Sequence, residues 1–167
     1  FGINYGTFRE AIMVQMTWPG APTLYYGDEA GVCGWTDPDN RRTYPWGSED
    51  FELIEYHRYL IDLHKKLPAL RRGSLKQLQA DRQLIMYGRM SGENKCAIII
   101  NNRGDGRTVS VPVWELGITD EDVITRMMMS YESGYNAGRV DYHADHGYLT
   151  LEVPAHSGVL LSSGVLV

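Results

Sequence analysis

The chain has 167 residues, 22% of them charged, and a net charge of −5. Its longest basic runs are the pairs Arg41-Arg42, Lys65-Lys66 and Arg71-Arg72, which argues against nucleic acid or an anionic membrane as the main partner and favours a neutral one. No apolar run approaches the roughly 20 residues that span a bilayer, and no charged-then-apolar signal is visible at the amino end. Cys33 and Cys96 are too few and too far apart for a disulfide framework and lack metal-ligand spacing, so free thiols are expected, which leans towards the cytoplasm.

In chain order, the FGINYG run at the start reads as loop, as in a piece taken from something longer. Thr7-Phe8-Arg9-Glu10 has the capping-box form and predicts a helix from near Phe8. Phe8, Ala11, Ile12 and Met16 recur at helical spacing until Pro19-Gly20 ends the pattern. Pro22 to Tyr26 is apolar without alternation and predicts a parallel strand buried on both faces. Gly27 to Gly47 is then a loop too long for a simple connection, and its prolines, aromatic rings and mixed charges point to an ordered working loop.

A second, long helix follows Ser48. Glu49, Asp50 and Glu52 suit its positive amino end, and His64, Lys65 and Lys66 suit its carboxyl end before Pro68. Leu53, Tyr56, Leu60, Leu63 and Leu67, flanked by Ile54 and Ile61, give the broad stripe of a helix laid against a sheet, and the other tyrosines and His57 on it are expected to pack. From Leu75 the period changes to two. Strands are predicted at 84–90, 95–101, 108–113, 123–129, 148–153 and 158–161, separated by turns such as Ser91-Gly92-Glu93-Asn94. Many short strands with no helix between them predict an antiparallel β-sandwich, with the boundary at 68–73. The fold class is therefore an α+β fragment, with α/β character in residues 1–70 and an all-β domain in 71–167.

Several residues could carry chemistry. Asp28 and Glu29 invite comparison with a glycosidase carboxylate pair, but neighbours on an extended chain point to opposite sides, so hydrogen bonds that fix the loop are preferred. Asp37, Asp39 and Asn40 resemble the start of a calcium loop without its glycine and terminal glutamate. Asp37 and Arg41 flank the stiff Pro38 and can hydrogen-bond sugar hydroxyls, with Trp35, Tyr44 or Trp46 free to stack on a ring face. An internal ion pair that shapes the loop is the equal alternative, and Arg42 is assigned to structure. His143 and His146, with Asp141 and Asp145, form the single metal-like cluster, DYHADH, whose spacing matches no zinc motif. No metal or cofactor is expected.

The run PGAPTLYYGDEAG followed by DPDNRRTYPW resembles the α-amylase family of glycoside hydrolases, especially its neopullulanase, cyclomaltodextrinase and amylopullulanase branch. The resemblance covers essentially the whole chain. It implies the last strand and helix of a (β/α)8 barrel in residues 1–70 and that family's carboxyl-terminal β-sandwich in 71–167. It also implies a retaining enzyme acting on α-glucans such as starch, pullulan, maltooligosaccharides or cyclodextrins. The nucleophile, the acid/base and the third carboxylate would lie after earlier barrel strands, so no residue here takes those roles and the chain alone is expected to be inactive. Asp37 and Arg41 occupy the DPDNR positions that contact a glucose unit on the non-reducing side of the cleaved bond. Thr43-Tyr44 where many relatives carry Pro-Met, and Trp35 where Gly is common, favour the amylopullulanase-like variant. Two non-catalytic alternatives concern the sandwich: it binds glucan itself, with Tyr87, Trp114, Tyr131, Tyr135, Tyr142 and Tyr148 available but in no clear stripe, or it only supports or dimerises the enzyme. Apolar barrel surface left uncovered is expected to drive association into a homo-oligomer.

Overall fold

The computed structural model describes residues 4–164 and forms three layers. Helix α1 (Tyr5–Thr17), helix α2 (Phe51–Lys66) and the short helix α3 (Pro68–Arg72) make one layer. The middle layer is a seven-stranded sheet of β1 (Ser74–Ala80), β2 (Leu84–Ser91), β3 (Asn94–Asn101), β5 (Ile124–Tyr131), β6 (Gly134–Asn136), β7 (Val140–Tyr142) and β9 (Ser157–Ser163). A two-stranded sheet of β4 (Arg107–Val111) and β8 (Leu149–Val153) is the third layer. The large sheet runs β1-β2-β3-β9-β5-β6, with β7 also on β5, and every pairing is antiparallel.

Alternation along the central strands builds both cores, because successive side chains leave opposite faces. Cys96, Ile98 and Ile100 of β3 and Leu160 of β9 meet Ile12, Met13 and Met16 of α1 and Leu53, Tyr56, Leu60 and Leu63 of α2. Ala97 and Ile99 of β3 and Val159 and Leu161 of β9 meet Val109, Val111, Leu149, Leu151 and Val153 of the small sheet. Met127 and Met128 both join the helix-side core because the β5–β9 register shifts between Arg126 and Met128. The sandwich is thus lopsided: one face of its large sheet carries a second sheet and the other carries the helices.

The structure corrects four sequence expectations. Helix α1 is capped by Asn4, whose Oδ1 accepts from the Thr7 N–H at 3.1 Å, so the helix starts before the expected box and takes in Tyr5 and Gly6. Residues 1–3 of the run read as loop lie outside the described residues. Ala11, placed on the apolar stripe, is exposed, while Arg9 and Glu10 are buried. The predicted strand Pro22–Tyr26 forms no ladder among the described residues, and Tyr25 and Tyr26 are about half exposed. Their ring centroids lie 4.8 Å apart, which strict strand alternation does not allow between neighbours. Strands β1, β6 and β7 complete the sheet at positions with little or no periodic signal.

Polar side chains bolt the helices to the sheet. Arg9 donates from Nη1 to the carbonyls of Tyr131 and Glu132 and from Nη2 to Glu52 Oε1 at 2.6 Å. Tyr56 Oη donates to the Arg9 carbonyl at 2.9 Å, and Tyr59 Oη to the Met127 carbonyl at 3.0 Å. Arg89 is 1% exposed and donates from Nη1 to the Thr17 carbonyl at 2.6 Å and from Nη2 to the Gly73 carbonyl at 2.9 Å. Replacing it leaves those carbonyls buried without a donor. Arg89→Ala is expected to cost about 2–4 kcal/mol in urea unfolding, and Arg89→Lys to recover less than half of that, because an ammonium cannot fork to two carbonyls.

Glu10 is buried in the same layer. Its Oε1 makes no hydrogen bond, and His156 Nδ1 stands 3.7 Å away. Burial pushes its carboxyl up to about 7. Because the folded state holds this proton more tightly than the unfolded chain, the associated stability is full below about pH 4.5 and is lost as pH rises through 7. Glu10→Gln is therefore expected to raise the thermal midpoint by a few degrees at pH 8 and to change it little at pH 5. Equal midpoints at both pH values would contradict this assignment.

Candidate functional site

The long loop between α1 and α2 is ordered by its own backbone. A single 3-10 turn, Asp28–Ala30, opens it between Gly27 and Gly31. Glu29 Oε2 accepts from the Gly27 N–H at 3.0 Å, and the Val32 N–H returns to the Gly27 carbonyl at 2.9 Å. Asp28 and Glu29 therefore lie in a 3-10 turn and not on the extended chain expected from sequence, and the Glu29 side chain fixes the loop through Gly27. Burial first, and the neighbouring Glu29 second, raise the Asp28 carboxyl. At the far end the Asp50 N–H donates to the Ala30 carbonyl at 3.1 Å, while Asp50 Oδ1 caps α2 by accepting from the Leu53 N–H at 3.0 Å. One residue thus closes the loop and starts the helix.

The middle of the loop folds back on itself. A Cβ at Gly34 would stand 2.6 Å from the Asp39 carbonyl oxygen and 2.8 Å from Asn40 Cα, so only glycine permits this approach. Asp39 organises the turn: Oδ2 accepts from the Trp35 N–H at 2.8 Å, and Oδ1 accepts from Arg42 Nε at 2.9 Å and Nη2 at 2.7 Å. The Arg42 bond, then the Trp35 amide, hold the Asp39 carboxyl below its usual range. The Arg42 carbonyl in turn accepts from Tyr26 Oη at 3.0 Å. Arg42 is structural, as the sequence suggested, and its partner is Asp39.

Asp37 and Arg41 are the other pair, joined by Nε to Oδ1 at 2.7 Å and Nη2 to Oδ2 at 3.1 Å. This ion pair, with one hydrogen bond from Nη2, presents both groups outward, with side-chain exposures of 65% and 60%. Such an exposed pair adds about 0–1 kcal/mol to stability. Beside it stand the tilted rings of Tyr25 and Tyr26. The Tyr25 phenol is raised, first by desolvation and then by Tyr26, with Arg41 opposing and Asp37 adding, which places the ring within electrostatic reach of the pair. A second ring pair, Tyr44 and Trp46, has centroids 4.5 Å apart, and Trp35 and Trp46 are 77% and 82% exposed. The loop therefore offers paired hydrogen-bonding groups and open aromatic faces together. The sequence named Asp37, Arg41, Trp35, Tyr44 and Trp46 as candidates but placed Tyr25 and Tyr26 in a buried strand; their position directly before Gly27 was the available signal.

The other sequence candidates lie elsewhere. Asp141 Oδ1 accepts from Thr125 Oγ1 at 2.7 Å, and His146 Nδ1 faces Asp145 Oδ1 at 2.8 Å on an open turn. Among the described residues no three His, Cys, Asp or Glu side chains converge to hold a metal ion. Cys33 is exposed and Cys96 buried, both as thiols, with burial pushing Cys96 up to about 12. No helix among the described residues is long and apolar enough to cross a membrane.

No family-wide sequence profile matches the chain. Individual relatives do. Neopullulanase 2 of Thermoactinomyces vulgaris is 33% identical over 98% of this chain, and an amylopullulanase of Thermoanaerobacter thermohydrosulfuricus is 32% identical over 92%. The chain spans only 26% and 10% of the lengths of those two proteins. Among solved structures, a debranching enzyme of Nostoc punctiforme soaked with acarbose superposes with a TM-score of 0.72 at 28% identity, over 97% of this chain and 29% of that one. Sequence and fold agree along nearly the whole length, and the chain belongs to the α-amylase family of glycoside hydrolases, in its neopullulanase-like branch.

Proposed function

We propose that this chain is the carboxyl-terminal part of a retaining α-glucan hydrolase, acting on starch, pullulan, maltooligosaccharides or cyclodextrins. Residues 1–70 end a (β/α)8 barrel, 71–167 form the domain that supports it, and the loop at 27–47 is one wall of the substrate cleft. In this reading Asp37 and Arg41 bind hydroxyls of a glucose unit on the non-reducing side of the cleaved bond. The catalytic carboxylates come from earlier barrel strands of the longer protein, so these residues alone do not hydrolyse glucan. The observation that carries the proposal is the exposed Asp37–Arg41 ion pair, held by a loop whose rigidity comes from other residues.

Two further features support it. An open apolar cavity of about 240 Å³, lined by Met16, Pro22, Leu24 and Ile61 with His64 and Lys65, lies at the helix layer, where neighbouring barrel strands would pack. The acarbose used to soak the related debranching enzyme is the kind of ligand such a wall would meet.

In the full-length hydrolase, Asp37→Asn and Arg41→Gln are each expected to lower kcat/KM about 10- to 100-fold, mainly through KM. Unchanged kinetics would remove the pair from the site. The same substitutions should change folding stability by less than about 1 kcal/mol. Asp39→Ala should instead speed amide exchange at Trp35, whose N–H it holds.

A further inference from the structure

We propose that Trp114 and Tyr148 form a second contact for an α-glucan chain, on the β-domain and separate from the Asp37–Arg41 loop; the choice of ligand rests on the glucan reading above. Of the sandwich aromatics that the sequence left scattered, Tyr87 is buried and Tyr131, Tyr135 and Tyr142 are partly buried. Trp114 and Tyr148 are 55% and 45% exposed, and the fold brings them to one place.

Trp114 sits in the 3-10 turn Val113–Leu116, whose Val113 and Leu116 anchor in the core shared with the small sheet. Its N–H donates to the Gly147 carbonyl at 3.0 Å, next in sequence to Tyr148, and its own carbonyl accepts from the Gly117 N–H at 2.9 Å. Gly147 has φ +81°, and a Cβ there would stand 2.8 Å from Trp114 Cβ and 3.2 Å from both Cγ and Cδ1. The indole therefore lies against a backbone that only glycine leaves open. Asp120 Oδ1 fixes that backbone by accepting from the Gly147 N–H at 2.7 Å. Asp145 and Tyr148 exchange backbone hydrogen bonds of 2.8 and 3.0 Å, closing a turn whose tip carries the exposed Asp145–His146 pair.

Two exposed rings thus flank one fixed turn, with the Asp145–His146 pair and the Lys76–Glu115 ion pair as hydrogen-bonding groups at its margin. Glucose presents apolar C–H faces to rings and hydroxyls to carboxylate and imidazole, which is the chemistry these side chains complement.

The test is electrophoresis of the 167-residue chain through native gels containing soluble glycogen. Wild type should be retarded, Trp114→Ala and Tyr148→Ala should lose about 2- to 10-fold in apparent affinity, and Trp114→Phe should keep most of it. Lys66→Gln, at an exposed side chain of α2 paired with Asp62, should leave the retardation unchanged. Because both rings are exposed, their replacement leaves the packed layers intact. Absence of retardation in the wild type, or equal retardation of Trp114→Ala, would overturn the proposal. Were that result to accompany a raised KM for Arg41→Gln in the hydrolase, the loop would stand as a glucan wall while the second contact fell.

Discussion

One buried guanidinium holds the architecture together. Arg89 rises from the large sheet and donates to the carbonyl of Thr17, the last residue of α1, and to the carbonyl of Gly73, just beyond α3. Helix ends carry unsatisfied carbonyls and partial negative charge, so a cation between two of them replaces the carboxylate that a buried arginine usually requires. Thr17 is also fixed through its hydroxyl, which lies 2.6 Å from Tyr87 Oη. The long loop leaves α1 directly after this junction and returns at Asp50, the cap of α2. Its two roots are thereby referenced to the same sheet, while the turn that carries Asp37 and Arg41 is fixed within the loop by Asp39 and Arg42.

The loop separates two duties that sequence alone left mingled. Asp39 and Arg42 close the turn, Asp39 also holding the Trp35 backbone N–H, whereas Asp37 and Arg41 face outward and pair with each other. An ion pair this exposed is weak in water, so under the proposed function a sugar hydroxyl would enter between or beside its members at little cost. In the proposed site, the Tyr25 and Tyr26 rings near the pair would give the apolar half of a sugar contact without demanding a charged ligand, in keeping with the acidic balance of the chain.

Much of this was legible in the residues, and what was not has physical causes. Helix α2 was readable because its acidic start, apolar stripe and basic end agree, and Leu53, Tyr56, Leu60, Leu63 and Leu67 are all buried. The inner strands were readable because each face meets a core. Strand β1 was not, since Ser74–Ala80 is largely exposed at the sheet edge and has no apolar face to repeat. Strands β6 and β7 are three residues each, too short for any period. Pro22–Tyr26 misled because an apolar run becomes a strand only beside a partner, and no described residue pairs with it. At α1 the box Thr7 to Glu10 competed with Asn4, which caps the helix while Glu10 turns inward. The bond from Asp39 to Arg42 was invisible because both residues also fit other partners three or four positions away.

The most direct measurement is release of reducing sugar from soluble starch, pullulan and cyclodextrin by the full-length protein and by the 167-residue chain in parallel. The account predicts release by the full-length protein and none by the chain alone. Release by the chain alone, or none by the full-length protein on any of the three glucans, would contradict it.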